Sequence, residues 1–153
     1  MKRLAIAVAS IACTLVAGCA AVPSAKVQAR LAELVRTTPI CVDESDCNAK
    51  WETAQLWVVH NAAYKIRTAT NVVIETFTPD HSETSIAVRI TREPAGGGKY
   101  KLIIAVWCDN LFGCFPNQWD ALLDFNRTVG TVNELLRARP PVSLALSLQP
   151  ASN

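Results

Sequence analysis

The chain is 153 residues long and half hydrophobic, with 15 Lys and Arg against 13 Asp and Glu. That length suits one domain with short appendages. The near balance of charge, without blocks of one sign, excludes the concentrated basic face that holds nucleic acid.

Lys2 and Arg3 open the chain, an almost unbroken apolar run follows from Leu4 to Val16, and small residues Ala17 and Gly18 close it. Basic, apolar and small regions in that order make a secretory signal. The run is shorter than the ~20 residues that cross a hydrocarbon core, which disfavours a permanent transmembrane helix. The next residue is Cys19, and Val16-Ala-Gly-Cys19 resembles the lipobox of bacterial lipoproteins. The resemblance implies cleavage after residue 18 and acyl chains on the thiol and new amine of Cys19. Each buried methylene contributes ~0.8 kcal/mol, so several chains together hold a protein firmly to a membrane. Ala20 stands where inner-membrane lipoproteins tend to carry Asp, which implies sorting to the outer membrane, facing the periplasm. The resemblance covers the leader alone.

Removing residues 1–18 leaves 135, and the loss of Lys2 and Arg3 brings the charges to 13 against 13. Residues 19–24 form a lipidated tether, 25–149 a single domain and 150–153 a tail. Cys41, Cys47, Cys108 and Cys114 remain as thiols in an exported chain, an even number that suggests two disulfides. The repeated C-x5-C spacing suits neither zinc ligation nor a C-x-x-C redox motif. Both local and crossed pairings are open. The repeated spacing and Gly113 favour local pairing by a narrow margin.

Ser24 can cap a first helix over 25–36, with Val27, Leu31, Leu34 and Val35 as its stripe, and Thr37-Thr-Pro39 ends it. The acidic segment CVDESDC follows. Asn48 can cap a second helix over 49–67, with Trp51, Val58, Val59, Ala62, Ala63 and Ile66 on one face. Three strand-like runs come next, at 71–78, 85–92 and 100–107. They are separated by a Pro79-Asp80-His81-Ser82 turn and by Gly96-Gly97-Gly98, which together suggest an antiparallel meander. The third run is apolar on both faces, which suggests a helix on one side and another cover on the second. A third helix begins near Pro116 or Asn117 with Trp119, Leu122, Leu123, Asn126 and Val129 on one side. It is interrupted at Gly130 and can restart through the capping box Thr131-Val-Asn-Glu134 as far as Arg137. Val142 to Leu148 alternates strictly and suits an edge strand. The expected fold is α+β: an antiparallel sheet of three to four strands packed with two to three helices.

If the link 68–70 reverses the chain behind the second helix, three strands bring Cys108 to the same end of the domain as Cys47. Trp51, Trp107, Phe112, Phe115 and Trp119 then gather at that end, as core around a disulfide or as a binding platform. The platform would use Phe112, Leu111 and Trp119, with Leu111 and Phe112 exposed at a loop tip. His60, on the second helix, has no orienting acid that the sequence fixes. His81 between Asp80 and Glu83 is a weak metal trio that ordinary turn residues explain equally well. No nucleophile elbow, phosphate loop or paired-carboxylate motif is present. The expectation is therefore a non-catalytic envelope lipoprotein without metal or cofactor. Its partners would be the membrane, through the anchor, and an envelope protein, peptide or glycan. The alternative is a cell-wall enzyme using His60 or His81 with a nearby acid.

Overall fold

The structure is a computed structural model and describes residues 23–133. The expected leader with Cys19, the expected helix restart beyond Asn133 and the strand expected at 142–148 lie outside the described residues. Three helices pack with a five-stranded antiparallel sheet, an α+β fold with slightly more strands than expected. The elements are α1 (Ala25–Thr37), β1 (Ile40–Cys41), α2 (Glu44–Asn61), β2 (Ile66–Ala69), β3 (Val73–Thr76), β4 (Ala87–Gly96), β5 (Lys99–Trp107) and α3 (Gln118–Gly130). The strand order is β1-β5-β4-β3-β2. Among the described residues, no helix is long and apolar enough to cross a membrane.

Ser24 caps α1, its side chain accepting from the Val27 N–H. The stripe is only half engaged: Val27 and Leu34 are partly covered, while Leu31 and Val35 face solvent. The second helix begins earlier than expected. Asp43, not Asn48, is the cap, with Oδ1 accepting from the Asp46 N–H at 2.8 Å. Glu44 and Asp46 in the first turn suit the positive end of the helix dipole. The helix also ends sooner, at Asn61, because Ile66–Ala69 pairs with β3 instead of continuing the helical period. Its buried face is therefore Cys47, Lys50, Trp51, Ala54, Trp57 and Val58, and Val59 is left exposed.

The short β2 changes the topology. The expected meander of three strands gains one, and each added strand reverses which end of the sheet the chain reaches. The turn after β2 lies beside the start of α2, where the Trp51 indole N–H donates to the Thr70 carbonyl at 3.0 Å. β5 begins at that same end, with Cys41 opposite Tyr100, and finishes at Trp107 opposite Ala87. Cys41–Cys47 and Cys108–Cys114 therefore lie at opposite ends of β5, roughly 25 Å apart at a strand rise of ~3.3 Å. Trp51 stays with the first bridge, while Trp107, Phe112, Phe115 and Trp119 stay with the second. The expected single aromatic end is thus corrected to two.

The core lies between the sheet and α2 and α3. Ile74, Val88, Ile90 and Leu102 from the strands meet Trp51, Ala54, Trp57 and Val58 of α2 and Ala121, Phe125 and Val129 of α3. Trp57 and Phe125 meet edge to face at 5.3 Å, and the indole N–H of Trp57 donates to Asp124 at 2.7 Å. Phe125 is fully buried although it falls outside the expected face of the third helix. β4 continues through Pro94, which β3 does not oppose, so the missing N–H costs the ladder nothing on that side. Gly97 and Gly98, both at positive φ, make the two-residue turn into β5.

Two charged groups brace this frame. Lys50 Nζ reaches the Ile40 carbonyl at 2.7 Å and Asp46 Oδ1 at 3.0 Å, with both side chains buried. Asp46 also accepts from the Val42 N–H and from Asn133. On the sheet face away from the helices, Glu75 accepts from Arg67 at 2.8 Å and Arg89 at 2.6 Å. These hydrogen bonds, that from Arg67 first, hold its carboxyl below the ordinary value of 4.5. On the corresponding face of β5, Ile103 and Trp107 are partly covered and Ala105 is exposed.

Candidate functional site

The end of the domain where β5 finishes carries the loop 108–114, closed by the Cys108–Cys114 disulfide. Local pairing is what the structure shows for both bridges, Cys41–Cys47 included. The two have different surroundings: Cys41 and Cys47 are in the core, whereas Cys108 and Cys114 are only partly covered.

Local chemistry shapes the loop. Asn110 turns it, its Oδ1 accepting from the Phe112 N–H at 2.8 Å and its carbonyl from the Gly113 N–H at 3.4 Å. Gly113 sits at φ 99°, a conformation that any side chain would strain. The segment before β4 clamps the loop from the side. Asn110 Nδ2 donates to the Ser82 carbonyl at 2.7 Å, the Phe115 N–H donates to the Thr84 carbonyl at 2.7 Å, and Ser85 bridges Phe115. Ser82 itself adopts φ 72°, uncommon for a residue with a side chain.

This scaffold holds apolar side chains outward. Phe112 is 99% exposed and Phe115 80%, with Leu111 entirely in solvent. Behind Leu111 and Phe112 an open cleft of about 340 Å³ is lined by His81, Ser82, Cys108, Asp109 and Asn110. His81 Nδ1 and Asp109 Oδ2 lie 2.9 Å apart, both exposed. Asp80 and Glu83 stand close by. Together with burial, the larger effect, their charges push the Tyr64 phenol above its ordinary value.

The structure thus brings together Leu111, Phe112 and His81, and leaves other candidates aside. Trp119 is half-buried in the first turn of α3, whose cap is Asn117, accepting from the Trp119 N–H at 3.0 Å. His60 is exposed on the last turn of α2. Among the described residues, no group of three His, Cys, Asp or Glu side chains forms a metal-binding set. Asp109 as the partner of His81 was not legible from spacing, since 28 residues separate them. The third outward side chain, Phe115, lies one residue past the bridge, and only the tertiary contacts with Thr84 and Ser85 fix it there.

Compared with protein-family models, curated proteins and solved structures, the chain matches none.

Proposed function

We propose that this protein is a non-catalytic accessory lipoprotein of the bacterial envelope. Acyl chains on Cys19 hold it to the outer membrane, facing the periplasm, and it works by contact through the apolar tip of the 108–114 loop. One observation carries the binding role: Leu111, Phe112 and Phe115 are held in solvent by a bridged and hydrogen-bonded loop, where a loose loop could fold them away. Apolar side chains kept together at a surface mark a contact site. The signal region and the Cys19 resemblance carry the location, and two disulfides suit an oxidising compartment.

Crosslinking in intact cells tests this. Leu111→Ser with Phe112→Ser should abolish the adducts, whether to protein or to lipid, that a photocrosslinker beside the tip forms in the wild type, and leave the melting temperature nearly unchanged, because both side chains are already hydrated. A species that survives the double change, or a large loss of stability, refutes the role of the tip.

The second reading is a cell-wall enzyme, favoured by the contact of His81 with Asp109. A general base needs its substrate atom within hydrogen-bond reach and a surrounding that excludes water. The His81 side chain is wholly in solvent, which weighs for the binding role. Changing His60 and His81 together to Ala separates the two, since a binder keeps its phenotype and an enzyme does not.

A further inference from the structure

The start of α1 and the apolar tip share one end of the domain. Just after α1, the Leu102 N–H of β5 donates to the Pro39 carbonyl at 2.9 Å. One turn earlier on the helix, Leu34 and Val35 line a small apolar cavity with Ile103 and Ile104. Moving toward the beginning of α1 is therefore moving along β5 toward Trp107. The contacts with α3 agree. Glu33 pairs with Arg127, and Thr37 lies against Gly130, so the two helices advance in the same direction. α3 begins just beyond the bridged loop.

Thirteen helical residues span ~20 Å at 1.5 Å each. The five steps from Leu102 to Trp107 span ~17 Å. Ser24 therefore ends about level with Cys108, at the end that carries Leu111, Phe112 and Phe115. Four residues lie between Ser24 and Cys19, a reach of at most ~18 Å.

From this we infer that the loop tip seats in the lipid surface that carries the anchor, as a second, non-covalent attachment fixing the orientation of the domain. The inference rests on the proposed acylation of Cys19. A tether this short keeps the tip near the membrane, and the bridge holds Leu111 and Phe112 extended before contact, so little ordering is lost on insertion. Each side chain of this size that leaves water favours the bound form by roughly tenfold to a hundredfold. The loop is too small to span, and its polar base, Asp109 and Asn110, keeps the seating shallow. Asp80, Glu83, Asp109 and Asp120 lie at this end, against Lys26 in the first turn of α1 and Lys65, whose carbonyl accepts from the Phe77 N–H. Those carboxylates select a zwitterionic surface over an anionic one.

The test uses the processed, acylated full chain in phosphatidylcholine vesicles, with bromine placed at the headgroup end or the methyl end of the acyl chains. Phe112→Trp adds a reporter at the tip, and Phe115→Trp serves as a second. Ser45→Trp, exposed in the first turn of α2, reports the opposite end. After the wild-type signal is subtracted, shallow bromines should quench either tip reporter at least twofold more than the Ser45→Trp signal. Deep bromines should quench it less. Equal quenching at both ends in a palmitate-labelled protein that floats with the vesicles overturns the seating and leaves the anchor intact. Equal quenching with a tip crosslinked to a protein assigns the surface to that partner instead. A chain that takes up no palmitate overturns anchor and seating together.

Discussion

Lys50 ties β1 to α2, and its replacement tests how the first disulfide segment is seated. In Lys50→Met, the Ile40 carbonyl loses its donor and the Asp46 carboxylate keeps only Val42 N–H and Asn133 as partners. Asp46 remains buried, and removing one member of a buried pair costs about 3–5 kcal/mol. The two surviving hydrogen bonds place the expected loss at the lower end, about 3 kcal/mol. For a domain of this size that is a fall of roughly 10–15 °C in melting temperature. Asp46→Ala should cost a similar amount, since it strands the ammonium and the Val42 N–H. Replacing a buried pair by apolar residues often restores stability. Here it should not, because both members also serve the backbone around β1. The double change should cost little more than either single one, giving a coupling of about 2 kcal/mol in a double-mutant cycle. Urea unfolding at pH 7 with both disulfides intact measures all four proteins. A loss below about 0.5 kcal/mol for Lys50→Met, or additive single changes, would falsify the proposed role of the pair.

The two bridges close loops of equal length, and loop entropy alone assigns each about 2.4 kcal/mol. Cys41 and Cys47 are also packed in the core, so Cys41→Ala with Cys47→Ala should destabilise clearly more than Cys108→Ala with Cys114→Ala, as seen by thermal unfolding; equal losses contradict the packing assigned to the first bridge. Glu75→Gln removes a carboxylate that the folded state holds below its ordinary pKa. That contribution is present above the unfolded value near 4.5 and lost as pH falls through the folded one. With both arginines about half exposed, screening limits the loss at pH 7 to about 1 kcal/mol. Unfolding curves of wild type and variant should converge at pH values well below 4.5, and a gap that persists there removes Glu75 titration as the cause.

Several features were legible from residue order because each depends on local chemistry. Ser24 as a cap, the glycine turn into β5 and the apolar alternation of β4 all follow from near neighbours. α2 shows where local pattern misleads. Its apolar period continues through Ala62, Ala63 and Ile66, yet pairing with β3 withdraws Ile66 into a strand. Asp43 carried a usable signal, an acceptor three residues before Asp46, that the more obvious Asn48 masked.

By itself, the order of residues determined the α+β class and the four cysteines that pair, each set by side chains close together in the chain. Only the tertiary structure decided which end of the sheet each bridge occupies. That depended on β2, four residues whose strand state is stabilised by hydrogen bonds to β3 and not by their own pattern. The same long-range pairing parted Trp51 from the other aromatic residues, and the clamp from residues 82–85 settled the position of the exposed loop beside the start of α1.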